Sequence, residues 1–215
     1  RVLFRSDKVG KLLTVNTDSD LSGVLAGADG LLAQVTAARD NGGQNWSASV
    51  MLYDAEGDGI ASWSDAVDEA MELARVEGVV LTEPLSSVSD IEAMQAKSER
   101  IMAKYMRPVW FAGRAPAFDA DSQSWEEYAT AIKPLTADVA ADACLVTPTI
   151  WGPELGALMG RLCNAAVTVA DSPMRVATGA LVGSWTERPA DKSGRRLDMS
   201  VLEDLDKARF SVPQW

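Results

Sequence analysis

The chain has 215 residues, 47% of them apolar, with 31 acidic against 20 basic side chains and a net charge of −11. No stretch approaches the ~20 consecutive apolar residues of a membrane helix, nothing marks the start as a secretion signal, and the acidic balance argues against a phosphate backbone as partner. Histidine is absent and the two cysteines, Cys144 and Cys163, are isolated, so Ser-His-Asp and Cys-His catalysis and an imidazole-bound zinc site are excluded.

Strand-like runs alternate with helical patterns along most of the chain, the signature of βαβ units. The expected fold is α/β, a mostly parallel central sheet with helices on both faces and a short C-terminal helical element. The first strand is Lys11 to Asn16. A helix capped by Thr17 or Asp18 then carries Leu21, Val24, Leu25, Leu31, Leu32 and Val35, with Gly27 and Gly30 as weak points and NGGQN, Asn41 to Asn45, as its stop. The second strand is Ser47 to Tyr53, followed by the acidic turn DAEGDG. Ser62 or Ser64 caps a helix with Ala66, Val67, Ala70, Met71 and Ala74 at helical spacing, and GVVLTE, residues 78–83, returns as a strand.

Ser89 stands three residues before Glu92, the spacing of a capping box, and opens a helix to about Tyr105 with Ile91, Met94, Ile101 and Met102 as core candidates. Pro108 precedes a fourth strand, VWFAG, and WEEYATAI is a helix bounded by Pro134. Alanine content suggests a further short helix over Thr136 to Ala141. Ala143 to Thr147 is the fifth strand. Pro153 fits the first position of a helix through LGALMGRLCN, whose glycines let a neighbour come close, and AVTVA is a sixth strand. RPADKSGRR, Arg188 to Arg196, reads as a polar loop, and Ser200 caps a helix VLEDLDKAR. The boundaries are an N-terminal arm or edge segment at 1–10, a core domain at 11–183, and a polar loop with a C-terminal helix at 184–215. The start at Arg1, without Met, reads as a piece of a longer product.

The turn after the first strand, Asn16-Thr17-Asp18-Ser19-Asp20, is acidic and free of glycine until Gly23, where a nucleotide site would place glycines against a pyrophosphate. Two segments have the spacing of a calcium loop: Asp18, Asp20, Ser22, Gly23 and Asp29, and Asp54, Glu56, Asp58, Gly59 and Asp65. Both follow strands rather than helices and end in Asp rather than Glu, which favours turn and capping roles. Asp119 with Asp121, or Glu126 with Glu127, would be carboxylate pairs for acid–base chemistry, but neighbours on a helix face different ways. Of seven tryptophans, Trp110 is a core candidate, and Trp63, Trp125 and Trp185 are candidates for half-exposed anchors or interface residues. Asp171-Ser172-Pro173-Met174-Arg175 reads as a capped, proline-stiffened turn from which Arg175 returns to an acceptor. Both cysteines are expected to be buried small hydrophobes.

The stretch from Ile150 to Gly183, in which a GRLCN helix end leads into ADSP-x-RV-x-TG, together with LEDLDKARFSVPQ, resembles the corresponding region of contractile phage tail sheath proteins. The likeness extends more thinly to NTDSDL and NGGQNW. It implies a virion structural protein without cofactor, catalytic residues or metal. The implied partners are neighbouring subunits, the tail tube and the baseplate, with assembly in the host cytoplasm and residence in the virion tail. It also implies rings of subunits that contract together, tied by terminal arms that add strands to neighbouring sheets. The chain stops at SVPQW, where the family pattern runs on into a C-terminal arm. The alternatives from the residues are an α/β enzyme or ligand-binding domain using carboxylates with a divalent metal, and a baseplate or tube-associated component.

Overall fold

The alternation of strand and helix holds, but the strands do not gather into one sheet. The computed structural model of the protein describes residues 8–54, 60–164, 181–183 and 187–212. Two compact units divide the chain, one formed by Arg1–Val79 with Gly156–Val182, the other by Val80–Leu155 with Gly183–Trp215. Among the described residues there are five strands and seven helices, none of the helices long and apolar enough to cross a membrane.

In the first unit, β1 (Leu12–Asn16) pairs antiparallel with β2 (Ser47–Met51), Thr14 opposite Ser49. A mostly parallel sheet is therefore only part of the fold. The expected single helix after β1 is two, α1 (Leu21–Val24) and α2 (Asp29–Asn41), because Gly27 takes a left-handed φ of 86° between them. The cap is Asp20, not Thr17 or Asp18: its carboxylate accepts from the Gly23 amide at 3.2 Å. Val15, Leu21, Leu25, Val35, Trp46, Val50 and Leu52 form the core beneath. Ser62 caps α3 (Trp63–Leu73), accepting from the Asp65 amide, and α3 buries Ala66, Val67 and Met71.

The second unit holds a sheet in the order β3-β4-β5, from β3 (Gly78–Pro84), β4 (Trp110–Ala117) and β5 (Cys144–Thr149), with β4 and β5 parallel. Between β3 and β4 runs α4 (Val88–Tyr105). Its capping box is Ser87 with Asp90 in place of Ser89 with Glu92. Ile91, Met94 and Ile101 are buried as expected, whereas Met102 faces out at 44% exposure. β4 and β5 run through Pro116 and Pro148, beyond the expected ends at Gly113 and Thr147. The ladder register shifts between Arg114 and Ala117, where a residue without an N–H is tolerated.

α5 (Trp125–Ile132) opens with a capping box of Ser124 and Glu127 and passes into a 3₁₀ turn at Lys133–Leu135. No helix follows over Thr136 to Ala141: Asp138 adopts a left-handed φ of 54°. α6 is Glu154–Cys163, with Pro153 just before it rather than inside it. Its glycines do admit a neighbour. A Cβ built on Gly156 would lie 2.0 Å from the Gln34 carbonyl oxygen, and one on Gly160 2.1 Å from that of Ala38, both on α2. α7 (Met199–Lys207) is capped by Asp198, which accepts from the amides of Ser200 and Val201, and packs on α5. The expected AVTVA strand lies outside the described residues.

Candidate interface edge

Among the described residues β5 is the last strand of its sheet, with β4 along one side of its backbone and no described strand along the other. Phe111 donates its amide to Ala143 at 2.8 Å and Phe118 donates to Thr149 at 2.7 Å. The odd-numbered residues of β5 therefore turn their backbone groups toward β4, and those of Cys144, Val146 and Pro148 turn outward. Pro148 has no amide to offer there. The chain after α7 reaches this edge, the Ser211 amide donating to the Val146 carbonyl at 2.7 Å.

A groove of about 580 Å³ runs beside the edge, floored by Ile91, Leu145 and Val146 and flanked by Val139, Cys144 and Arg209. Gln95 stiffens one wall: its carbonyl oxygen accepts from the Ala143 amide at 3.0 Å, and its nitrogen donates to Asp142 and Glu99, both at 2.9 Å. Arg209, in a left-handed turn with φ of 67°, donates to the Val139 carbonyl at 3.2 Å. Burial and then the charge of Asp142 push the Cys144 thiol up to about 11, so the sulfur stays protonated and unreactive at neutral pH. An apolar floor with outward main-chain groups suits an extended segment of polypeptide.

The acidic residues singled out by spacing have other work. Asp20 is spent on its cap and Asp29 opens α2, while Asp18 is tied into the turn through its backbone amide, which donates to the Asn16 side chain. Asp54 and Asp65 are described, but Glu56, Asp58 and Gly59 lie outside the described residues. Among the described residues no group of three or more carboxylates or thiols is placed to hold a metal ion. Asp119 closes a turn on itself, accepting from the Asp121 amide at 3.1 Å and the Ser122 hydroxyl at 2.7 Å. The Ser122 bond holds its carboxyl below the usual range, so it stays ionised.

Glu126 and Glu127 diverge to separate cations: Glu126 binds Arg195, and Glu127 takes Lys192 at 2.5 Å while closing its capping box. Trp125 is fully buried rather than half exposed. Its ring stacks on Phe118 with centroids 4.1 Å apart, and its indole N–H donates to the Arg195 carbonyl at 2.8 Å. Trp63 and Trp110 are half-buried, and Cys163 is exposed, against the buried position expected of it. Trp185 and the segment from Asp171 to Arg175 lie outside the described residues.

Two carboxylates that spacing did not single out organise the second unit. Asp191 accepts from the Ser193 hydroxyl at 2.6 Å, the amides of Ser193 and Arg195, and at longer range the Trp125 amide, so the 189–197 hairpin is fastened to the start of α5. The Ser193 hydroxyl is the main reason its carboxyl lies below the usual range. Glu154 is fully buried and accepts from the amides of Ile150, Trp151 at 2.6 Å and Gly152 at 2.9 Å. Burial pushes its carboxyl up, against the opposing pull of those amides.

The chain aligns over 212 residues, at 38% identity, with a protein of Haemophilus phage HP1 (strain HP1c1) that bears the name "Putative tail sheath protein". The aligned part is 96% of this chain and 56% of that relative, so the chain spans about half the length of the curated protein it matches. The likeness to tail sheath proteins seen in the GRLCN and ADSP-x-RV-x-TG segments is thus borne out over nearly the whole chain. No solved structure matches. Residues 3–215 match the family model described as DUF2586, N-terminal domain, and the chain belongs to that family.

Proposed function

We propose that this chain is part of a structural protein of a phage tail, a sheath subunit that works by association and carries out no reaction. The observation that carries the reading is the 38% identity, over 96% of the chain, to a phage protein named for the tail sheath. Sheath subunits would meet copies of themselves, the tail tube and the baseplate in the virion tail, having assembled in rings in the host cytoplasm and contracting together during delivery. The outward face of β5 supports this reading on the structural side. It combines main-chain groups turned away from β4, of which the Val146 carbonyl takes the Ser211 amide, with an apolar groove, the two things that strand addition between subunits uses. The carboxylate-enzyme alternative is not favoured, since Asp119, Glu126 and Glu127 are each committed to a turn or a cation.

The test is assembly. Full-length protein, concentrated and viewed by electron microscopy, is expected to form tubes of uniform width. An obligate monomer at high concentration would overturn the reading.

A further inference from the structure

Asn41 is followed by Gly42, the pair in which an asparagine side chain is most easily lost, because a glycine amide is unhindered as a nucleophile. In that reaction the Gly42 nitrogen gives up its proton and attacks the Asn41 amide carbon. The new C–N bond closes a succinimide, the side-chain nitrogen leaves as ammonia, and water then opens the ring to aspartate or isoaspartate. The fold blocks each requirement. Asn41 is buried at 4% exposure at the end of α2, and the Gly42 amide is engaged with the Arg39 carbonyl at 3.2 Å. The Asn41 side chain is held at both ends: its nitrogen donates to the carbonyls of Ala37 at 2.9 Å and Val182 at 3.1 Å, while its oxygen accepts from the Val182 amide at 2.8 Å. Its own carbonyl accepts from Asn164 at 3.3 Å.

We propose that Asn41-Gly42 is a deamidation site held shut by the two-way bond to Val182, so that its conversion records, and makes permanent, the release of Val182 from the end of α2. The permanence follows from the donor count. An amide at this place supplies two N–H donors to carbonyl oxygens, whereas a carboxylate supplies none and sets a negative charge against both. Isoaspartate further inserts a methylene into the main chain at the helix end. The reaction needs the open form, so its rate follows the population of that form.

The experiment incubates the full chain at pH 8 and 37 °C and reads the acid-for-amide mass change in the peptide spanning Asn41. The same chain held unfolded in urea serves as reference. Expected is conversion at least about tenfold slower in the folded chain, with the converted fraction showing lost hydrogen-exchange protection at the Val182 amide. Val182→Pro, which removes the amide donor without touching Asn41, is expected to bring the folded rate toward the unfolded one. Equal rates in folded and unfolded wild type would overturn the proposal, as would a converted fraction in which Val182 remains protected.

Discussion

Gln34 holds Gly156 twice over: its side-chain oxygen accepts the Gly156 amide at 2.7 Å, and its main-chain carbonyl occupies the space where any other residue at 156 would carry a Cβ. The first contact satisfies an amide in the first turn of α6, and the second brings two helix backbones together with nothing between them. Gly156→Ala and Gly160→Ala should each cost about 3 kcal/mol, at the top of the range for overpacking because the obstructing atoms are main chain. Urea denaturation of the wild type and both variants checks this. A loss below about 1 kcal/mol would mean that α2 and α6 can part at little cost.

Asp191→Ala should detach the 189–197 hairpin without unfolding the sheet. The substitution removes the acceptor of the Ser193 hydroxyl and amide and of the Arg195 and Trp125 amides. Hydrogen exchange is expected to accelerate at Ser193 and Arg195 while Phe111 stays protected. The pH dependence has a definite sign. A carboxyl held below its ordinary value stabilises the native state above the ordinary carboxylate range and loses that contribution as pH falls through the depressed native value. The wild-type hairpin should therefore loosen in acid, and the alanine variant should show no such step.

Glu154 has the opposite sign. Its carboxyl is raised by burial, so the native chain binds the proton more tightly than the unfolded chain does. The penalty of the buried charge is present at neutral pH, shrinks as pH falls through the raised native value, and is gone below the ordinary carboxylate range. Stability measured against pH for wild type and Glu154→Gln should show the wild type gaining on the variant as the solution is acidified. A constant difference, or a variant that gains, would contradict the assignment.

Tyr128 closes the far end of the β4–β5 ladder, its hydroxyl accepting from the Thr149 amide at 2.9 Å and donating to the Pro116 carbonyl at 3.1 Å. Tyr128→Phe keeps the ring, which meets Phe118 edge-on, but strands a buried amide, a loss of about 1–3 kcal/mol. Thermal and urea unfolding report the size. Hydrogen exchange at Thr149 reports the place.

Val146→Pro tests the edge. The substitution deletes an amide that points away from β4 and so leaves the internal ladder in place. If strand addition along β5 joins subunits, the full-length variant should retain its circular dichroism spectrum and fail to form tubes. Tubes of normal width would move the assembly contact elsewhere.

Much of this architecture was legible because local rules were enough. Ser62 before α3, the glycines of α6 and the apolar spacing of Ile91, Met94 and Ile101 each pointed to what the fold contains. Where several residues of one kind compete within a turn, the sequence did not choose among them. SSVSDIE spells two capping boxes two residues apart, and Asp18 and Asp20 both precede α1. Strand ends were drawn too early, at Gly113 and Thr147 ahead of Pro116 and Pro148, because a proline reads as a breaker until the direction of its missing amide is known. Pairing was beyond reach as well. The antiparallel partner of β1 lies across two helices, and Asp191 meets Trp125 from 66 residues away. The interface edge could not be read in advance either, since an edge is defined by sheet order and no residue pattern specifies it.

The contact between α2 and α6 rests on absent atoms, which gives it a mechanical character that a leucine-filled seam lacks. Flexible side chains can change rotamer and let two helices creep past one another, but carbonyl oxygens seated over bare α-carbons have no alternative arrangement nearby. A displacement of one helix at these two glycines would therefore have to carry the other with it.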